Sequence, residues 1–186
     1  MAKILIVYSS TDGHTRKIGD RLRKVLEQLG HQATLVCIND AASADLQAFD
    51  KIVIGASIRY GKHSPKITDF INRNRRLLDS KPNAFFSVNI VARKPEKSRP
   101  DTNPYLRKFL KKISWRPKEL SVFAGKLDYP KYRFFDRLMI RLIMFITHGP
   151  TDPKAVIDFT DWRQVESFAR LIGAMPLEES GPPVSK

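Results

Sequence analysis

Residues 10–15 read Ser-Thr-Asp-Gly-His-Thr, a run whose types and spacing suit the binding of an anion. Ser10, Thr11 and Thr15 offer hydroxyl donors. Gly13 lets the backbone come close to a ligand. Asp12 and His14 complete the run and contribute main-chain amides. Immediately before it, Ile4 to Tyr8 is a short apolar stretch rich in β-branched residues, which predicts a buried parallel strand. Immediately after it, Arg16 to Leu29 has helical period, with Ile18, Leu22, Val25, Leu26 and Leu29 on one face. A strand, a hydroxyl-rich loop and a helix together make a phosphate cradle, because a helix N-terminus carries unpaired N–H groups and partial positive charge. The spacing Ser10-x-x-Gly13-x-Thr15 has neither the Gly-Lys-Ser/Thr of a P-loop nor the three glycines of a dinucleotide fingerprint. A plain strand-to-helix turn with an N-cap would use the same residues without a ligand.

Strands and helices alternate along the rest of the chain. Strands are predicted at Ala33–Ile38, Lys51–Ile54, Ala84–Val91 and Leu120–Ala124. Helices are predicted at Lys66–Leu78, Asn103–Lys112 and Trp162–Ala174, with a short helix or turn around Ala44–Phe49. Pro104 suits a first helical turn, and Thr160-Asp161 can cap the last helix. Five strands alternating with helices predict an α/β fold, a doubly wound five-stranded parallel sheet. In such a sheet, ligands sit outside the strand C-termini at the switch point. The loops after the first, third and fourth strands are therefore the candidate site.

The loop after the third strand is Gly55-Ala-Ser-Ile-Arg-Tyr-Gly61. Its glycines and serine allow backbone to lie close to a flat ring. Ser57, Ile58, Arg59, Tyr60 and Gly61 are the contact candidates, with Tyr60 stacking and Arg59 meeting a polar ring edge or an anion. A wedged surface tyrosine and a solvated arginine are the bland alternative. Following the core of the fourth strand, the chain reads Ser87-Val-Asn-Ile-Val-Ala-Arg-Lys. Ser87, Val88, Asn89, Ile90, Val91 and Ala92 can present amides to the same ring, while Arg93, Lys94 and Lys97 put positive charge beside it. An ordinary charged connection has the same composition. His63 is the nearest residue by position that could take a proton.

The chain of 186 residues has a formal net charge of +14, which calls for an anionic partner. The charge is concentrated, with 15 basic and 5 acidic residues between Arg93 and Arg141. Within that region Tyr129 to Thr147 is a basic, apolar insertion spanning about 126–152, more than a small α/β domain needs. Arg133, Arg137 and Arg141 fall on one helical stripe, with Phe134, Phe135, Leu138, Leu142 and Phe145 among the apolar residues around them. Such a helix suits an anionic membrane surface, its arginines reaching lipid phosphates. Packing on the sheet and contact between copies in an oligomer are the other two uses. Nucleic acid is not expected, because the aromatics lie among aliphatic residues. Cys37 is the only cysteine, which excludes an intrachain disulfide; it reads as a small buried hydrophobe. No metal site is expected. The first residues read as a core strand and not a signal peptide, and no apolar run reaches the ~18 residues of a spanning helix. These features place the protein in the cytoplasm or on the cytoplasmic face of a membrane. Residues 1–175 read as one domain, with 176–186 as a tail.

The loop at 10–15 resembles the FMN-phosphate loop of flavodoxin-like proteins. Nearly the whole chain, residues 3–174, is similar to the quinone-dependent protoporphyrinogen dehydrogenases of γ-proteobacteria, a flavodoxin-like FMN family. The likeness rests on Thr11-Asp-Gly-His-Thr15, Ile54-Gly-Ala-Ser-Ile-Arg-Tyr-Gly61, Ser87 through Lys97, Arg107-Lys-Phe-Leu110, Trp115-Arg-Pro117, Tyr129-Pro-Lys-Tyr-Arg133, Asp136-Arg137 and Thr160-Asp-Trp162. The resemblance implies an FMN cofactor and six-electron oxidation of protoporphyrinogen IX in three two-electron steps. It also implies menaquinone or ubiquinone as acceptor and a peripheral seat on the inner membrane. An NAD(P)H:quinone reductase and a non-catalytic membrane-docking module are the alternatives.

Overall fold

A computed structural model of the chain describes residues 1–177; all but the first two residues of the expected tail lie outside the described residues. The central sheet contains β1 (Lys3–Ser9), β2 (Gln32–Cys37), β3 (Lys51–Arg59), β5 (Asn83–Asn89) and β6 (Glu119–Ala124). These five run parallel in the order β2-β1-β3-β5-β6. Two-residue β4 (Lys62–His63) folds back antiparallel on the end of β3. The order reverses beside β1, so the switch point opens between β1 and β3, above the 10–15 loop.

Alternation along the strands sorts the apolar residues to two faces. Ile4, Ile6, Val53, Phe86 and Phe123 pack with α1 (His14–Gln28) and α5 (Trp162–Ala174). Leu5, Val7, Ile52, Ile54 and Phe85 pack with α2 (Pro65–Asp79) and α3 (Pro104–Leu110). The helix starts follow local chemistry: Asn103 caps α3 by accepting from Leu106 N, and Asp161 caps α5 by accepting from Arg163 N and Gln164 N.

Three expectations change. The third strand does not end at Ile54; it continues to Arg59 and turns into β4 through Tyr60 and Gly61, both with positive φ (49° and 74°). Two consecutive left-handed residues make the tight hairpin turn whose twist matches the flanking strands. Gly55 therefore lies inside β3, where a Cβ would collide with the Phe86 ring, so its smallness serves packing within the fold. Cys37, at the end of β2, is half-buried and not a core residue.

The insertion is framed by its own small sheet. β7 (Lys126–Asp128) pairs antiparallel with β8 (Val156–Asp158), and Asp128 is the register partner of Val156. Between them lies α4 (Phe134–Ile146). Leu127, Tyr129 and Met144 form a separate core under the helix, against which Ile90 and Ile140 pack.

Candidate functional site

The loop between β1 and α1 forms as its sequence predicts. Gly13, the N-cap of α1, has φ 80°, a left-handed conformation costly for other residues, and provides no side-chain cap for the first-turn amides. Thr15 is 1% exposed, and its hydroxyl oxygen is buried without a hydrogen-bond partner. A buried, unpaired hydroxyl at an uncapped helix N-terminus fits an anion that would satisfy both. Ser10 is half-buried; Thr11 and Asp12 are exposed.

His14 does more than supply an amide. Its Nε2 lies 2.7 Å from Thr160 Oγ1, and the Thr160 hydroxyl donates in turn to Ala124 O at 2.8 Å. With its proton committed to Ala124, Thr160 accepts from His14 Nε2–H. Burial pushes the imidazole pKa down, opposed by Asp158 at 3.6 Å.

The turn after β3 stands beside this loop. Asp12 Oδ1 is 3.6 Å from Arg59 Nη1, and the Arg59 guanidinium lies 5.4 Å from the centre of the Tyr60 ring. Tyr60 is 71% exposed, so its ring is available to a ligand. Ser57 and Ile58 are half-buried at the strand end, and Ser57 Oγ reaches Ser9 O at 3.4 Å. His63 is turned away from solvent. Its Nε2 is 3.0 Å from Ser87 Oγ, its ring packs on Phe85 and Phe109, and burial pushes its pKa down to about 3. It is thus a neutral buried group and a poor proton acceptor near neutral pH.

The segment after β5 uses its side chains internally. Asn89 Oδ1 accepts from Ala92 N (3.1 Å) and Asn103 Nδ2 (3.2 Å), which folds Ile90–Arg93 into a 3-10 turn. Ser87, Val88, Val91 and Ala92 are buried, and Ile90 packs on the insertion core. What this segment can offer a ligand is main chain. Arg93 donates to Ile90 O at 3.3 Å and to Thr147 O and Oγ1 at 3.2 and 2.8 Å, so its guanidinium holds the end of α4. Lys94 and Lys97 remain half-exposed beside it.

The insertion helix also differs from expectation. Arg137 donates to Tyr129 O and Tyr132 O, and Arg141 to Thr151 O, so these arginines point to the chain's own carbonyls. Arg133 is exposed. The outward face is apolar: Phe134, Phe135 and Phe145 are 73%, 78% and 74% exposed, with Leu138, Leu142 and Ile146 each more than half exposed. Asp136 faces inward, 7% exposed, and accepts from Arg59 Nη2 at 2.5 Å and from the Tyr60 hydroxyl. Sequence reasoning gave Asp136 no role at the site; its signals were its place in the Asp136-Arg137 likeness and its being a single acid in the first turn of an otherwise apolar and basic helix.

A flavodoxin-domain model matches residues 5–154. The protoporphyrinogen IX dehydrogenase [quinone] of Escherichia coli K12 is 46% identical over 170 residues, covering 91% of this chain and 94% of its own. The protein of that name from Leishmania major is 44% identical, covering 94% of this chain and 76% of its own. The chain belongs to this flavodoxin-like dehydrogenase family. Its fold is also that of flavodoxin 2 from Bacillus cereus (TM-score 0.53, 20% identity, 92% of this chain and 97% of that one). Streptococcus pneumoniae TIGR4 flavodoxin is similar to the same degree (TM-score 0.53, 16% identity, 93% and 99%). FMN is the cofactor that a flavodoxin domain binds, and the orphan Thr15 hydroxyl and open, left-handed Gly13 fit its phosphate.

Proposed function

We propose that this member of the family oxidises protoporphyrinogen IX to protoporphyrin IX with FMN as cofactor and a respiratory quinone, menaquinone or ubiquinone, as acceptor. The observation that carries the reading is the 46% identity to a dehydrogenase of that name across nearly the full length of both chains. FMN, when bound, supplies the two-electron redox chemistry, used three times for the six electrons of the overall oxidation.

The chain's own residues bind and orient. Gly13, His14 and Thr15 would hold the phosphate, with Ser10, Thr11 and Asp12 completing the loop. Tyr60, Arg59 and the main chain of residues 87–92 would flank the ring. The substrate carries two propionates, and Lys94 and Lys97 are the half-exposed cations placed to meet them by charge-assisted bonds. Arg93 acts instead by fixing α4. The apolar face of α4 would seat the protein on the cytoplasmic surface of the inner membrane, where both greasy substrates reside. That face fits partial burial in a bilayer: among the described residues no helix is long and apolar enough to cross a membrane.

The test is anaerobic mixing of FMN-loaded protein with protoporphyrinogen IX and a menaquinone analogue, read by porphyrin fluorescence. Quinone-dependent porphyrin above the non-enzymatic rate is expected. NADPH oxidation with quinone and no porphyrin would assign a quinone reductase instead, and failure to retain FMN would assign a docking module.

A further inference from the structure

The insertion helix is fastened at both ends to the two loops assigned to the flavin ring. In its first turn, Asp136 receives Arg59 and Tyr60 from the β3–β4 turn. Just past its last turn, Thr147 receives Arg93 from the segment after β5. Asp136 is a carboxylate buried to 7% exposure in a helix whose other face is apolar and open. The Arg59 guanidinium beside it is partly desolvated, yet Tyr60, Asp136 and Asp12 outweigh that and hold its pKa above the ordinary arginine value. A charge-assisted hydrogen bond of this kind is directional, and moving Arg59 away would leave the buried Asp136 carboxylate with the Tyr60 hydroxyl alone. Tyr60 itself has φ 49°, a conformation that persists only when its surroundings hold it. The Asp136 bond to its hydroxyl is such a hold.

We propose that Asp136 is a positioning residue: it holds Arg59 and Tyr60 against the flavin and so makes retention of FMN depend on how α4 is seated. Contact of the helix's outer face with lipid then tightens FMN binding, and by linkage FMN tightens lipid binding by the same factor. The lipid half rests on the membrane reading given above; the positioning half does not.

The test is a double-mutant cycle on the full chain with Asp136→Asn, Arg59→Gln and the pair, reading FMN and riboflavin affinity by calorimetry and the visible band of the bound flavin. Each single variant should weaken both flavins about tenfold. Both should shift the flavin band alike, with the pair no worse than either single. Wild-type affinity in Asp136→Asn with unchanged thermal stability, or fully additive losses, would overturn the positioning role. Repeating the titration with phosphatidylglycerol vesicles separates the second half. Co-sedimentation with a several-fold tighter wild-type FMN affinity, absent in Asp136→Asn, supports the coupling. Co-sedimentation with unchanged affinity overturns it. Failure to sediment would overturn the docking reading and the coupling together, while the cycle still decides the role of Asp136.

Discussion

His14 Nε2 and Thr160 Oγ1 are 2.7 Å apart, although 146 residues separate them in sequence. This bond ties the start of α1 to the junction of β8 and α5, so that junction braces the loop proposed to hold the phosphate. Thr160→Val removes the acceptor and frees the loop. FMN affinity should fall several-fold while riboflavin, which has no phosphate, binds as before; paired calorimetric titrations check it.

Thr15→Val keeps the shape of a buried side chain and deletes its one unsatisfied polar atom. Without ligand the variant should be as stable as the parent or slightly more so. With FMN it should lose roughly 1–3 kcal/mol of binding, about 5- to 150-fold, and again spare riboflavin. Equal losses for both flavins would place the phosphate elsewhere.

His63 makes the fold acid-sensitive. Its folded pKa of about 3 lies below the ordinary value of 6.5, so between those limits the unfolded chain binds the proton and the folded chain does not. Its contribution is intact above about pH 6.5 and is lost as pH falls toward 3. At pH 5 this costs about 2 kcal/mol, at 1.36 kcal/mol per pH unit. His63→Gln should flatten the acid side of a stability–pH curve measured by urea unfolding, and an unchanged slope would remove His63 from that role.

Lys51 is 2% exposed at the start of β3, and its ammonium donates to Ile172 O, Gly173 O and Met175 O at 3.0, 2.7 and 2.7 Å. It satisfies the terminal carbonyls of α5. Lys51→Met should cost roughly 3 kcal/mol of stability, seen as a lower thermal midpoint, because three acceptors lose their donor. FMN affinity of the folded variant should be unchanged, since the residue starts the central strand β3 and so sits at the opposite end of the strands from the loop.

Phe134→Ser with Phe135→Ser removes two exposed rings and no internal contact of the cofactor loops. Partition onto anionic vesicles should fall at least tenfold, on the scale of ~1.5–3 kcal/mol per buried aromatic. FMN affinity measured without lipid should hold. Unaltered sedimentation would move the membrane contact to another surface.

The fold was legible because period and punctuation agreed: β-branched runs for strands, apolar faces for α1 and α5, asparagine or aspartate at helix starts. The strand, loop and helix around residues 10–15 were legible for the same reason, their residue types being tied to one local geometry. Direction was not legible. The spacing of Arg133, Arg137 and Arg141 showed a stripe but not that Arg137 and Arg141 serve the carbonyls of Tyr129, Tyr132 and Thr151. Asn89 looked like a ligand contact; its Oδ1 caps the turn at Ile90–Arg93 and is also met by Asn103, which only the fold brings beside it. Nothing local to Lys51, the first residue of the predicted third strand, pointed to the end of α5 that its ammonium meets. The hairpin at Tyr60 was hidden because tyrosine is an unusual residue for a left-handed turn, and its hold, Asp136, lies in the insertion.

Because α4 is tied to the turn after β3 and to the segment after β5, a bilayer under its apolar face would lie close to the strand ends proposed to cradle the cofactor. Reactants would then reach the site by lateral diffusion, and turnover would follow their mole fraction in the membrane. Adding inert lipid at constant bulk concentrations of porphyrinogen and quinone should slow the enzyme by dilution in two dimensions.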